Sequence, residues 1–229
     1  MSSFVLKIIA CISMFCDHIG DAFIGKLTFL NYIGRLAFPI FCFQIVQGYI
    51  HTHDIKKYIL RLSLFALISQ IPFMLFYHIV FDSFAINVIF TLLFGLFTIL
   101  IYDKYNKFVG ACSCLLLCII AQVCQFDYGF FGVFIIFMFY VLRNKKTAMS
   151  FVFALAVLIR YSIPLLQYGL SLSYLFSNGK YSMMVYSTIF SIVPILFYNG
   201  KKGKDAKYLF YIFYPVHLLI LSIISIIML

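Results

Sequence analysis

Apolar runs close to the roughly 20 residues that a helix needs to cross a bilayer follow one another along almost the whole chain. Nine can be marked, at residues 4–24, 27–50, 58–81, 84–102, 108–126, 128–142, 147–168, 181–198 and 208–229. The run at 128–142 is short and forms either a tilted couple or one re-entrant element with its predecessor, so the count is about nine, within eight to ten. A water-soluble globule is excluded, because 65% of the residues are hydrophobic and only 10% are charged. Soluble domains carry about a quarter charged residues to cover their surface. No Pro-, Gly- or Ser-rich linker and no internal repeat interrupts the runs. The expected fold is all-α and polytopic, a single transmembrane domain over residues 1–229.

The remaining charges say how such a chain would sit. Seventeen Lys and Arg against seven acids, all of them Asp, give a net charge of +10. With nine spans crossing in turn, one side holds Lys7, Lys56, Lys57, Arg61, Lys104, Lys107, Arg143, Lys145, Lys146, Lys201, Lys202, Lys204 and Lys207, which is 13 of the 17. The other side holds Lys26 and Lys180, and Arg35 and Arg160 fall inside spans. Cytoplasmic loops are enriched in Lys and Arg, so the N-terminus is expected in the cytoplasm and the C-terminus outside a plasma membrane. The excess charge is then a topology signal, and no nucleic-acid partner is expected. The first run contains Asp17, His18 and Asp21 and is too long for a cleavable signal, so it reads as a retained helix. The seven cysteines, Cys11, Cys16, Cys42, Cys112, Cys114, Cys118 and Cys124, all fall in spans without paired zinc spacing. Neither a disulfide framework nor a metal site is expected.

Ionisable side chains in hydrocarbon cost several kcal/mol unless they face a cavity or a partner, so each one marks a candidate site. Asp21 follows His18 by three residues and Asp17 by four, which puts the triplet on one polar corner of the first helix. At about 1.5 Å per residue, His18 lies roughly 21 Å from Phe4, and Arg35 lies roughly 12 Å in from the other side, at a similar depth. Asn87 and Arg160 fall in the same outer half, and His217 falls nearer the midplane. The plain alternative is a buried ionic latch of Asp17, Asp21 and Arg35 holding two helices. All five prolines, Pro39, Pro72, Pro164, Pro194 and Pro215, lie inside the runs, which suggests kinked helices around a polar pocket. A second cluster, His51, His53, Asp54, Lys56, Lys57 and Arg61, is either a positive-inside loop or a cradle for phosphates.

The stretches LKIIACISMFCDHIG, NYIGRLAFPIFCFQIVQGYIHTHDIKKYILRLSLFALISQIPF, NVIFTLLFGL and KYLFYIFYPVHLLIL resemble the TraX family, named for a membrane protein that acetylates the N-terminus of F-type pilin. The resemblance implies an enzyme, a transmembrane acyltransferase that takes acetyl-CoA from the cytoplasm and acetylates an acceptor at the outer side. The acceptor is a peptide amine, a glycan or a lipid-linked polymer, and membrane lipid surrounds the protein. It places Asp17 and His18 on the family's Asp-His pair, Arg35 on its arginine, His51 on the histidine ending the second span, Asn87 on its asparagine and His217 on its final histidine. His18 is then expected to take the proton of the attacking group, with Asp17 or Asp21 orienting the imidazole. Arg35, with Asn87, would stabilise the thioester oxygen. His51, His53, Lys56, Lys57 and Arg61 would hold the CoA phosphates, and Asn87, Arg160, Tyr214 and His217 would meet the acceptor. The rival class is a proton-coupled transporter using Asp17, His18, Asp21 and Arg35 as a relay.

Overall fold

Backbone N–H and C=O groups must be satisfied within the chain when lipid surrounds it, and helices do this segment by segment. The structure, a computed structural model, describes residues 1–25, 27–171, 173–204 and 206–228, and it is helical with no strand among them. Lys26, expected on the far side, and the final residue of the last expected span lie outside the described residues. The helices are α1 (Ser3–Ile19), continued by a π-helical turn (Gly20–Ile24), α2 (Phe29–Gly34), α3 (Ala37–His51), α4 (Ile55–Phe81), α5 (Val88–Lys104), α6 (Lys107–Val123), α7 (Gly129–Val141), α8 (Lys146–Gln167), α9 (Tyr174–Ser177), α10 (Gly179–Phe190), α11 (Ile192–Leu196) and α12 (Lys207–Met228).

The few polar residues set where helices begin. Side-chain oxygens of Ser2, Asp54, Asn87, Asn106 and Asn178 accept backbone N–H groups at the starts of α1, α4, α5, α6 and α10. Proline explains two interruptions. Pro39 and Pro194 cannot bond to the carbonyls four residues back, those of Arg35 and Phe190, and the breaks fall at Arg35–Leu36 and at Ser191. Pro72, Pro164 and Pro215 lie inside α4, α8 and α12.

Five segments are long and apolar enough to cross a membrane: Ser3–Ile24, Phe29–His51, Ile55–Phe81, Lys146–Gln167 and Tyr208–Met228. The other four expected runs form shorter pieces. Helices α5, α6 and α7 have 17, 17 and 13 residues, and the run at 181–198 is divided between α10 and α11.

The helices group into two units, Met1–Ile40 with Leu142–Asp205, and Phe41–Val141 with Ala206–Leu229. In unit 1, α1 packs on α2, and α10 packs on α2, α8 and α9. Its first residues are tied to a late loop: Ser3 N donates to Lys201 O (2.8 Å), Phe4 N to Lys202 O (3.0 Å) and Asn199 N to Met1 O (2.9 Å). Lys146 Nζ reaches Leu196 O at 3.5 Å. The starts of α1 and α8 therefore share one end of unit 1 with the lysines at 201, 202 and 204.

In unit 2, α4 packs on α12 and α5, and α5, α6 and α7 pack on one another. Gly95 lets α5 approach α7, because a Cβ there would lie 2.3 Å from Ile136 Cδ1. At the end where α5 finishes, Asp103 Oδ2 accepts the hydroxyls of Tyr49 (2.8 Å) and Tyr140 (2.5 Å), joining α3, α5 and α7.

Candidate functional site

The polar corner of α1 is completed by α2. Asp17, 8% exposed, receives Arg35 Nη2 at both carboxylate oxygens, 2.5 and 2.6 Å away. Asn31, 1% exposed, stands between the two acids of α1. Its Nδ2 donates to Asp17 O (3.2 Å), Asp17 Oδ1 (3.0 Å) and Asp21 Oδ1 (2.9 Å), and its Oδ1 accepts from Thr28 N (3.0 Å) and Thr28 Oγ1 (2.8 Å). Arg35 Nε adds a long bond to Asn31 O at 3.4 Å. His18 and Asp21 are half-buried beside this network.

Two glycines make this fit possible. A Cβ on Gly34 would fall 2.3 Å from Asp17 Cβ, and one on Gly20 would press on Thr28 Oγ1 and on the Asn31 amide at 3.0 to 3.1 Å. The motifs around Asp17–Gly20 and Asn31–Pro39 are thus two halves of one joint. Gly34 admits Asp17, Arg35 binds it, and Pro39 releases the helix at the arginine. A π-helical turn at Gly20–Ile24 follows directly, a feature frequent at functional sites.

Unit 1 holds a further expected residue. Arg160, half-buried in α8, lies within electrostatic reach of Tyr181, whose ring also meets Tyr161 (6.3 Å) and Tyr174 (6.1 Å) edge-on.

In unit 2, Asn87 is fully buried and caps α5 by accepting Ile89 N at 3.0 Å. Its Nδ2 donates to Ala66 O (2.8 Å) and Gln70 Oε1 (2.7 Å), and Gln70 Nε2 donates to Ala85 O (3.1 Å). With both amide hydrogens committed to α4, Asn87 is a staple between helices. Tyr214 is 5% exposed, and its hydroxyl accepts the backbone N–H of Val88 within the field of Asp127 and Tyr128. His217, 4% exposed, stacks on Phe213 at 4.7 Å, and its Nδ1 lies 2.7 Å from Phe213 O. That contact makes Nδ1 the donor in the neutral ring, so Nε2 is the basic nitrogen.

The basic cluster divides. His51, His53, Lys56 and Lys57 are exposed, and Lys57 pairs with Asp54 at 3.2 Å. Hydrogen bonding from the Lys57 backbone N–H, then from its side chain, holds the Asp54 carboxyl below its ordinary value. His51 Nδ1 sits 2.9 Å from Gln47 O. Arg61 is different. It is half-buried, with its guanidinium 5.6 Å from the Tyr58 ring and 5.5 Å from the Tyr211 ring, and Phe65 stacks on Tyr211 at 4.7 Å.

Sequence reasoning singled out the charged partners Asp17, Asp21 and Arg35 but missed Asn31, Gly34, Gln70 and Asp127. A neutral amide in an apolar run carries no charge to notice. The spacing of Thr28 and Asn31, the first and fourth positions of a helix start, was the available signal.

A probable fimbrial assembly protein, FimC of serogroup H1, from Dichelobacter nodosus is 40% identical over 76 residues, 31% of this chain and 31% of that protein. An uncharacterized protein of Rickettsia prowazekii (strain Madrid E) is 29% identical over 150 residues, 62% of this chain and 56% of its own length. The chain therefore spans about a third and just over half of these two relatives. No solved structure matches. The family model of the TraX protein matches residues 2–225, and with that nearly complete coverage the chain belongs to the TraX family.

Proposed function

We propose that the protein is a multi-pass acyltransferase of the plasma membrane that moves an acetyl group from cytoplasmic acetyl-CoA to an amine or hydroxyl acceptor at the outer face. The observation that carries the reading is the network Asp17–Arg35–Asn31–Asp21, which fixes the carboxylates one residue before and three residues after His18 in an apolar span. An imidazole on a helix that carries two fixed anions is suited to hold a proton during bond making. Membership of the TraX family and likeness to a fimbrial assembly protein favour a pilin-like peptide amine as acceptor.

In the step envisaged, the acceptor nitrogen or oxygen attacks the thioester carbonyl while its proton passes to His18. An amide or ester bond forms, the C–S bond breaks, and the CoA thiolate regains that proton from the imidazolium. Asp21 orients the ring. Arg35 acts through Asp17, whose carboxylate it fixes. His51, His53, Lys56, Lys57 and Arg61 receive the CoA phosphates, Arg61 as the partly dehydrated member. Arg160, Tyr214 and His217 are assigned to the acceptor. The basic end of unit 1 faces the cytoplasm, which puts His18 towards the outer leaflet.

Purified protein in detergent, given acetyl-CoA and an amine, should release free thiol. The His18→Ala variant should lose at least about 100-fold of that rate, the scale of general-base catalysis, while its membrane insertion and melting temperature stay unchanged. Undiminished release in a folded His18→Ala protein would remove His18 from the reaction.

A further inference from the structure

Unit 2 contains non-helical backbone level with the middle of its longest helix, α4. Asn87 is bonded to Ala66 and Gln70, roughly 17 and 23 Å along α4 from Ile55 at about 1.5 Å per residue. Helix α4 then continues for roughly 12 Å more to His78, whose exposed contact with Asp82 (3.7 Å) marks a polar boundary. The turn between α6 and α7 is fixed at the Asn87 level. Ile86 N donates to Gln125 O (3.1 Å), Asp127 N donates to Ile86 O (2.8 Å), and Thr91 Oγ1 donates to Asp127 O (2.5 Å). Cys124 and Gln125 in this turn are exposed, and Asp127 and Tyr128 are half-exposed. Gln125 and Tyr128 hold left-handed backbone, φ 54° and 64°, costly for residues with a side chain and persistent where the surroundings impose it.

Irregular backbone at membrane depth survives only when buried in protein or facing water. This turn is not buried. We propose that it floors a water-filled pit opening on the side of unit 2 opposite its basic loops, and that Asp127 there binds a protonated primary amine. The charge distribution selects the ligand class. Every Lys and Arg of unit 2, namely Lys56, Lys57, Arg61, Lys104, Lys107 and Lys207, lies near the other ends of α4, α5, α6 and α12. The half containing the pit carries the carboxylates of Asp82 and Asp127, with His78 and His217 as its ionisable nitrogen groups. The phenol ring of Tyr128, the following residue and half-exposed like Asp127, suits a cation further. Naming this amine as the acetyl acceptor rests on the acyltransferase reading; the pit and its ligand class do not.

The chain supplies its own probes. Cys124 lies in the turn and Cys112 on α6, both exposed on the protein surface. Intact protein in lipid vesicles is treated with the impermeant thiol reagents trimethylammonium-ethyl and sulfonatoethyl methanethiosulfonate, and modified cysteines are mapped by mass spectrometry. Cys124 should react and Cys112 should not. The cationic reagent should react about tenfold faster than the anionic one, the lower end of focusing by a charged cleft. Methylammonium at millimolar concentration should slow that labelling, and Asp127→Asn should bring the rate ratio close to one and abolish the protection. The bonds from Asp127 N to Ile86 O and from Thr91 Oγ1 to Asp127 O use backbone atoms, which this substitution keeps. If the variant nonetheless fails to fold, the rate ratio and protection in the unaltered protein decide. An unreactive Cys124, a Cys112 that reacts equally, equal rates for the two reagents or indifference to methylammonium would each overturn the proposal. None of these measurements requires turnover, so they stand apart from the thiol-release assay.

Discussion

At the scale of single residues, the joint between α1 and α2 depends on one missing methyl group and one neutral amide. Gly34→Ala would drive a Cβ into the Asp17 side chain, so it should destabilise the protein by about 1–3 kcal/mol through overpacking and separate Asp17 from Arg35. Asn31→Ala should cost a similar amount, about 1–3 kcal/mol, because it takes a donor from two partly dehydrated carboxylates. Thermal unfolding in detergent checks both, and a Gly34→Ala protein as stable as the parent would show that α2 can shift away freely. The charged members were legible because ionisable groups in apolar runs are conspicuous. Their partners were not: Asn31 and Gly34 differ from surrounding residues only in ways that three-dimensional contact reveals.

At the scale of elements, proline and cap positions decide helix ends more than hydropathy does. The residues at 84–86 and Phe126 are apolar or small, and they extended the expected spans, but Asn87 starts α5 only afterwards and the turn at Gln125–Tyr128 stops α6 before Phe126. Hydropathy averages over such breaks. This is why five segments reach spanning length and the other four runs form shorter pieces. Pro39→Ala supplies an N–H to the Arg35 carbonyl and should let the helix run on through Arg35 and Leu36, visible as slow exchange of the new amide at position 39. Fast exchange there would place the cause of the break elsewhere. The start of α4 should also depend on pH. Asp54 is held below the ordinary carboxylate value by Lys57, so its contribution is complete above pH about 4 and is lost as the pH falls through its lowered value. Amide protection in the first turn of α4 should therefore differ between the parent and Asp54→Ala at pH about 6 and converge once the pH has fallen through that lowered value.

At the scale of the whole molecule, the distribution of lysine and arginine was the clearest signal in the sequence. Within unit 1 the structure puts the first residues, the start of α8 and the loop at 197–204 at one end. Single cysteines replacing Lys145 and Lys201 should therefore be labelled from the same face of the membrane, and one replacing Ser171, in the loop after α8, from the opposite face. Labelling of Lys145→Cys and Lys201→Cys from different faces would contradict that arrangement. The grouping into two units was largely hidden in the sequence: of the three crossings, those at 40–41 and 141–142 lie inside apolar runs, and only that at 205–206 falls in a polar stretch.

That interleaving sets an order of events during synthesis. The first 40 residues belong with a segment that begins at Leu142, and ribosomes add about 5–20 residues per second, so α1 and α2 wait on the order of 5–20 s for their companions. During that interval, Asp17 and Arg35 have each other and Asn31 for shelter. The joint between the two helices thus also serves as a temporary seal, keeping an anion and a cation neutralised at the insertion site until the rest of the protein arrives.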